Sequence, residues 1–217
     1  MRAFLVIGLG RFGRHLALGL MKIDGNEVMV LDRTEELVSE IAPMVTKAQI
    51  GDGTKIDVLR SIGINTFDAC FVCMGASFQS SLETTALLKD LGARKVISKA
   101  STAIQEKFLL RNGADEVVYP ERDAAEKLAH RYSMNRLRDF LELTPEVSIF
   151  EVECAPAWVG KSIAELNFRA RYNANILAIK SNNDIKIPGA DYVFSEGENI
   201  MLMGKNEEID KLLKKIK

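Results

Sequence analysis

A glycine-rich turn near the start of the chain places the strongest constraint on its fold. A short apolar run leads directly into the hexapeptide Gly8-Leu9-Gly10-Arg11-Phe12-Gly13. In this spacing the first glycine permits a tight turn, the second lets backbone N–H groups approach a phosphate, and the third lets a helix pack closely on a strand. The N-terminus of the following helix adds a partial positive charge. The segment therefore predicts a nucleotide-binding turn of the Rossmann type.

Apolar runs alternate with amphipathic stretches from the N-terminus to about residue 120, as in a parallel sheet covered by helices on both faces. The predicted strands are Ala3–Ile7, Glu27–Leu31, Val45–Ile50, Ala69–Cys73, Lys95–Ser98 and Glu116–Tyr119. The predicted helices are Arg11–Lys22, Glu35–Ile41, Lys55–Ser61, Ser80–Leu91 and Ala103–Arg111. This order predicts an α/β fold, with a doubly wound parallel sheet in a first domain over residues 1–120.

The pattern changes to a long helical stretch over residues 121–143, with a break near 133–135. Its apolar side is formed by Ala125, Leu128, Ala129, Tyr132, Leu137, Phe140 and Leu141. Because the first domain is already complete, we expect this stripe to be buried on a second copy of the chain. The segment is therefore predicted to be a crossover that holds a homodimer together.

Residues 144–217 are rich in strand signals and predict a small α+β domain. The predicted strands are Val147–Val152, Ile176–Lys180, Ile185–Ile187 and Ile200–Met203, and the predicted helices are Ser162–Leu166 and Glu207–Lys217.

Charge and hydropathy exclude two classes of partner. The 29 Lys and Arg residues are balanced by 30 Asp and Glu residues, so no sequence-wide basic field exists to hold nucleic acid. The apolar run at the N-terminus is far shorter than the roughly 20 residues of a membrane span, and no other window comes close to that length. We therefore expect a cytoplasmic protein that does not insert into a membrane and reaches one only through a partner.

Three cysteines are too few for a disulfide framework. Cys70 and Cys73 form a C-x-x-C pair, but in a predicted buried strand their side chains point to opposite faces. Redox-active pairs of this spacing sit at helix N-termini. The pair is predicted to contribute to core packing.

Two acidic positions at predicted strand ends extend the nucleotide site. Asp32 ends the second strand, where a carboxylate accepts hydrogen bonds from ribose hydroxyls and repels a 2′-phosphate. Arg33 weakens that exclusion, but NAD-type or ADP-type ligands stay favoured over NADP. Asp52 and Gly53 follow the third strand, where adenine usually lies. Asp52 can equally serve as an N-cap for the next helix.

Later strand ends bring further groups to the same edge of the sheet. Met74, Gly75 and Ala76 follow the fourth strand and expose backbone there. Lys99 follows the fifth strand and supplies a cation, although a surface lysine without a role fits equally well. Glu121 follows the sixth strand, and it also suits the first turn of a helix, where the dipole favours a carboxylate.

Arg11 is the most informative residue of the turn, because a guanidinium between the second and third glycines can reach phosphates bound there. A dehydrogenase would also need an acid or base beside its cofactor. The two histidines, His15 and His130, both lie on predicted helices, and neither a serine-protease order nor a metal-ligand motif is present. The pattern favours a nucleotide that acts as a signal rather than a reagent, and no catalytic residue is predicted.

Several of these motifs together resemble a known family. The glycine turn, Asp32, the segment 51–54, Lys99-Ala100, Gly113-Ala114-Asp115 and Tyr119-Pro120-Glu121 resemble the regulator-of-potassium-conductance (RCK, or TrkA-N) domain. Segments 159–166 and 176–179 resemble the RCK C-terminal (TrkA-C) domain. The resemblance covers essentially the whole chain and is strongest to cytosolic regulatory subunits of Ktr-type potassium transporters. One departure is Gly53, since relatives often carry Ala after the acidic or Asn residue at this step.

The resemblance implies an assembly and a set of ligands. Such subunits dimerise through the crossover helix, form octameric rings, and dock beneath a membrane subunit that conducts potassium. ATP and ADP favour different ring shapes, and Trk-type relatives respond to NAD or NADH at the same site. Some C-terminal domains bind cyclic di-AMP between two subunits.

Individual roles carry over by position. Arg11 would meet the terminal phosphate of ATP, from its own or a neighbouring subunit. Glu121 would lie near the phosphates at the dimer interface, where a divalent or monovalent cation mediates its contact. Arg169, Asn175 and Ile176 match the positions that hold cyclic di-AMP.

Two alternatives stay open at this point. A Trk-type NAD(H) sensor would use the same turn, but that form usually repeats both domains in tandem, whereas this chain has one copy. A small NAD-dependent oxidoreductase would need a substrate-holding tail and an acid or base that the sequence does not offer.

Overall fold

The computed structural model describes residues 1–75, 77–181 and 184–216. It divides into two compact units, Met1–Arg122 and Asp123–Lys217. Within the described residues, every helix is too short or too polar to span a lipid bilayer.

The first unit contains a parallel sheet of six strands in the order β3-β2-β1-β4-β5-β6. The strands are β1 Arg2–Ile7, β2 Asn26–Asp32, β3 Lys47–Ile50, β4 Ala69–Val72, β5 Val96–Lys99 and β6 Glu116–Val118. Its helices are α1 Arg11–Met21, α2 Glu35–Ile41, α3 Ile56–Ile62, α4 Phe78–Asp90 and α5 Ala103–Arg111. Helix α6, Pro120–Ser133, begins in this unit and continues into the second. The predicted Rossmann-type sheet is confirmed, and the bounds of its strands and of α1 to α5 differ from prediction by at most two residues.

Burial explains why these segments become central strands. Leu5, Val6 and Ile7 are fully buried because helices cover both faces of the sheet. Cys70 packs in the core layer that contains Leu5, and Cys73 packs in the opposite layer. Burial raises the pKa of both thiols to about 12, so both cysteines are protonated packing residues.

The helical prediction for residues 121–143 is wrong in its second half. Helix α6 ends at Ser133, and Leu137–Thr144 forms strand β7, which pairs antiparallel with β8, Val147–Glu153. The apolar residues of this stretch fit the three-to-four spacing of a helix, and they partly fit the alternation of a strand. Their spacing alone therefore does not decide between helix and strand. Arg136 adopts a left-handed backbone with φ 68°, which ends helical geometry, and pairing with β8 then selects the strand.

The second unit contains a sheet of five strands in the order β10-β9-β11-β8-β7. Besides β7 and β8, its elements are β9 Ala174–Ser181, β10 Asp184–Lys186, β11 Asn199–Lys205, α7 Ile163–Leu166, α8 Phe168–Tyr172 and α9 Asn206–Lys215. Its core includes Trp158, Phe168 and Phe194 packed ring against ring. The predicted α+β tail is confirmed, although the sequence reading did not include β7 or α8.

Candidate nucleotide-binding site

The glycine turn between β1 and α1 is closely packed. Gly8 has a φ of 96°, a conformation that side chains rarely adopt, and its N–H donates to Leu31 O at 2.9 Å. A Cβ on Gly13 would lie 1.9 Å from Gly8 O, so only glycine lets α1 approach the turn. Nothing lies within 4 Å of a Cβ placed on Gly10. Gly8 and Gly13 are therefore required by the packing of the turn, whereas Gly10 leaves open space beside the backbone.

Helix α1 offers an anion-binding end at this turn. Its N-cap, Gly10, makes no side-chain capping bond, and its first turn contains no acidic residue. The first N–H groups of a helix lack partners within the helix and carry the positive end of its dipole. The geometry suits a phosphate at the start of α1, with Arg11 beside it.

Asp32 connects the end of β2 to the glycine turn. Its Oδ2 accepts a hydrogen bond from Leu9 N at 2.6 Å, and its Oδ1 accepts one from Thr34 N at 2.9 Å. Sequence reasoning assigned this carboxylate to a ribose and did not include its structural role. Carboxylate oxygens offer about four acceptor positions in total, so ribose hydroxyls could bind as well.

Asp52 organises the turn after β3. Its Oδ1 accepts hydrogen bonds from Thr54 N at 2.9 Å and Thr54 Oγ1 at 2.8 Å. The backbone bond and then the hydroxyl bond of Thr54 lower the pKa of Asp52 below its usual value. The alternative interpretation of Asp52 as an N-cap is wrong, because the N-cap of the following helix, α3, is Lys55, which makes no side-chain capping bond. Asp52 instead holds the turn before that helix and lines a cleft at the edge of the sheet.

A cleft of about 540 Å³ opens at the carboxyl edge of the parallel sheet. Twelve of the fourteen predicted nucleotide-site residues line it: Gly8, Gly10, Arg11, Phe12, Asp32, Arg33, Asp52, Gly53, Met74, Gly75, Lys99 and Glu121. Gly13 instead packs beneath the turn, and Ala76 lies outside the described residues. That these residues bind a nucleotide stays a prediction.

The cleft also contains residues that sequence reasoning missed, namely Leu31, Thr34, Leu37, Gly51, Cys73, Ser77 and Ser80. Ser77 is the N-cap of α4, and its hydroxyl accepts from Ser80 N. A serine just before an apolar-periodic segment is a recognisable cap signal. It was missed because the predicted helix began at Ser80, two residues after the observed start at Phe78.

A charged pair, Lys99 and Glu121, lies in the cleft where β5 and β6 end. Lys99 Nζ lies 2.7 Å from Glu121 Oε1 and 5.9 Å from the centre of the Phe12 ring. The Lys99 side chain is only 11% exposed, whereas that of Glu121 is 63% exposed. The hydrogen bond from Lys99, and also the charge of Arg11, hold the pKa of Glu121 below its usual value. Lys99 is therefore not a free surface lysine.

The second unit has a smaller pocket of about 350 Å³. Arg169, Asn175 and Ile176, the three positions carried over for cyclic di-AMP, all line it. The other lining residues are Ile163, Ala164, Asn167, Phe168, Ala174, Pro188, Gly189 and Ala190.

Neither histidine lies in the large cleft. His15 is exposed on α1, and the His130 ring lies 5.4 Å from that of Phe140 in the second unit. Among the described residues, no group of three or more His, Cys, Asp and Glu is placed to hold a metal ion. A cation near Glu121 would therefore need further oxygen ligands, such as phosphate oxygens.

Comparison with known proteins places the chain in a family. The TrkA-N domain model matches residues 4–120, and the TrkA-C domain model matches residues 147–217. The chain belongs to the TrkA-N/TrkA-C family. The family matches fall on the parallel-sheet unit and on the antiparallel-sheet unit, as the sequence resemblance implied.

The family's curated relatives match over nearly their whole length. The chain is 37% identical to Ktr system potassium uptake protein C of Bacillus subtilis, covering 99% of this chain and 97% of that protein. It is 36% identical to Ktr system potassium uptake protein A of the same organism, covering 96% and 94%. The resemblance to Ktr regulatory subunits is therefore confirmed at the level of family.

Solved structures support the fold. The GsuK channel bound to NAD matches with a TM-score of 0.71 at 17% identity, covering all of this chain and 39% of that one. The crystal structure of the GsuK RCK domain matches with a TM-score of 0.67 at 17% identity and 48% of its length. The chain thus spans less than half of these structures, and at this identity they show the fold alone.

Proposed function

We propose that this chain is a nucleotide-sensing regulatory subunit of a potassium uptake system, located at the cytoplasmic side of a membrane through a potassium-conducting partner. The observation that carries the proposal is the cleft, which collects the helix α1 N-terminus, two acidic strand-end residues and a buried lysine around one space. The names of the relatives supply the process, since both are potassium uptake proteins that match over most of their length.

ATP and ADP are the proposed ligands of the cleft. The uncapped start of α1 and the side chain of Arg11 suit phosphates, while Asp32 suits ribose and Asp52 suits an adenine amino group. NAD or NADH is the second candidate, because the cleft extends past Met74 to Lys99 and one structural neighbour is bound to NAD. A Trk-type NAD(H)-responsive regulator is thus the alternative function within the same family.

We also propose that a cation binds beside Glu121. This carboxylate is largely exposed at the phosphate end of the cleft, so it could share a divalent or monovalent ion with the terminal phosphate of the ligand. The ion would neutralise charge between phosphate and carboxylate.

Helix α6 is the proposed dimer contact. Within this single chain α6 buries none of its residues, and Leu128 and Tyr132 are 48% and 80% exposed. Large apolar side chains aligned on one helix favour a second copy as their cover. By resemblance to the family, we expect such dimers to assemble into an octameric ring.

Cyclic di-AMP is the proposed ligand of the smaller pocket. Arg169 supplies a cation for a phosphate, and Asn175 and Ile176 supply an amide and an apolar contact for a base. Binding of cyclic di-AMP in this pocket would be a second signal that regulates the same protein.

The proposed mechanism is a population shift between ring conformations. A nucleotide that binds one conformation tenfold more tightly than the other shifts the balance by about 1.4 kcal/mol per occupied site. Coupled sites in one ring multiply this bias. A ligand with equal affinity for both conformations would shift nothing.

A calorimetric titration of the purified full chain with ATP, ADP, NAD, NADH and cyclic di-AMP tests the proposal. We expect ATP and ADP to bind, and Arg11→Ala to weaken ATP about tenfold or more, because one charge-assisted contact is worth about 1.5–3 kcal/mol. Arg14→Ala is the matched control, since Arg14 lies on the same helix but pairs with Glu40 outside the cleft.

Two results would contradict the proposal. Unchanged ATP affinity in Arg11→Ala would remove the assigned phosphate contact. Turnover of NAD(H) with a small substrate would instead support the oxidoreductase alternative.

A further inference from the structure

A side chain on Gly53 would have to displace its neighbours. It is buried in the turn after β3 and lines the large cleft. A Cβ on this residue would lie 2.8 Å from Ile7 Cγ2 and 2.9 Å from Met74 Cε, closer than real Cβ contacts come. Gly53 does not adopt a positive φ, so space and not backbone conformation requires glycine here.

Met74 is held against this glycine. Thr84 Oγ1 donates to Met74 Sδ at 3.6 Å, and Thr84 is fully buried on α4. Met74 also packs on the core layer that contains Ile7. The flexible thioether side chain therefore lies folded down between the sheet and α4, with its methyl group beside Gly53.

The contact between Gly53 and Met74 lies between distant strands. Gly53 follows β3 and Met74 follows β4, whereas β2 and β1 separate these two strands in the sheet. The turn after β3 therefore reaches back across the sheet edge to Ile7 at the end of β1. Both residues line the cleft, so their contact forms part of its floor.

We propose that Gly53 is a positioning residue that lets Met74 lie flat in the floor of the cleft, and that this pair sets the depth available to the nucleotide. The inference rests on the proposed function, because the nucleotide is the measured ligand. With a methyl group at position 53, the Met74 side chain must turn up into the cleft or the turn must move.

A double-mutant comparison tests the pair. We expect Gly53→Ala to weaken ADP and ATP binding at least tenfold, because the displaced thioether occupies ligand space. In a Met74→Ala background, Gly53→Ala should lower ADP and ATP affinity less than twofold. The new methyl group can then shift away from Ile7 into the space that the Met74 side chain vacated. Gly19→Ala is the matched control, because a Cβ on this exposed helical glycine meets nothing within 4 Å.

A second readout follows Met74 without any ligand. The chain has 8 methionines, and ¹³C-methyl spectra of methionine-labelled protein identify the Met74 signal by its loss in Met74→Ala. We expect Gly53→Ala to shift this signal towards a solvent-exposed, mobile methionine, whereas Gly19→Ala leaves it in place. Circular dichroism confirms that each variant is folded.

The outcomes separate the pair from the proposed function. If wild-type protein binds no adenine nucleotide, the proposed function fails, and an unmoved Met74 signal in folded Gly53→Ala would overturn the packing inference as well. If wild-type protein binds, equal affinity in Gly53→Ala overturns the inference alone. An equal loss from Gly53→Ala in both backgrounds also overturns it, because the cost would then come from Ile7 or the turn itself.

Discussion

At the scale of single residues, the carboxylates of the cleft combine structural and binding roles. Asp32 holds the glycine turn through Leu9 N, and Asp52 holds its own turn through Thr54. Residue type and spacing predicted where these carboxylates lie, since both follow directly from strand ends. Their hydrogen bonds to backbone amides could not be predicted, because these depend on how each loop folds around the side chain.

Lys99 illustrates a second limit of sequence reasoning. The sequence left open whether it was a surface lysine, and only the packed structure buries its side chain next to Phe12 and pairs it with Glu121. Gly53 illustrates a third limit. A Cβ at this position is opposed by Ile7 at the end of β1 and by Met74 just after β4, and Met74 is 21 positions later in the chain.

The pair of Lys99 and Glu121 gives a pH-dependent prediction. The pKa of Glu121 is lowered, so its contribution to stability is present above the ordinary value of about 4.5 and is lost as pH falls through the lowered folded-state pKa. We expect Glu121→Gln to lower the melting temperature at pH 7. The difference in melting temperature between this variant and wild type should shrink as the pH falls to 3. Differential scanning calorimetry across this range measures it.

Glu116→Gln is the control for that series. Glu116 pairs with Lys95 at 2.7 Å, but both side chains are about half exposed, and such surface pairs contribute little. At pH 7, Glu116→Gln should lower the melting temperature less than Glu121→Gln does. A Glu121→Gln gap that stays constant from pH 7 to pH 3 would show that the ion pair is not its cause.

At the scale of elements, the crossover segment shows where sequence periodicity stops being decisive. The first unit was predictable because its strands are continuous apolar runs and its helices are amphipathic. Residues 137–144 fit two periods, and the choice depends on β8, which supplies a partner strand. Long-range pairing of this kind is not visible in a local window.

Helix α6 gives a prediction about assembly. We expect Leu128→Glu together with Tyr132→Glu to reduce the mass of the assembly, because charges then occupy the exposed apolar face that should meet a second copy. Analytical ultracentrifugation measures the mass. Ile23→Glu is the control, since Ile23 is 60% exposed but lies just after α1.

Two results would count against α6 as the contact between copies. Wild-type protein that sediments as a monomer at high concentration would contradict it directly. An assembly whose mass is unchanged by both α6 substitutions would place the contact elsewhere.

At the scale of the whole molecule, the fold class was predictable from the order of strands and helices, and the family from a few motifs. The first unit coincides closely with the family match at residues 4–120, whereas the second unit begins at Asp123, before the match at residues 147–217. Regulation is a property of the assembly and of differential binding. It follows from neither a motif nor a single chain.

The central claim is that a nucleotide in the cleft biases a regulator of potassium uptake. Binding and regulation are linked reciprocally, so a partner that favours one conformation must change nucleotide affinity by the same coupling factor. The most direct measurement is therefore the affinity of the chain for ATP and for ADP, with and without its potassium-conducting membrane partner. The account predicts that the partner changes the two affinities by different factors, and equal affinities in both conditions would contradict it.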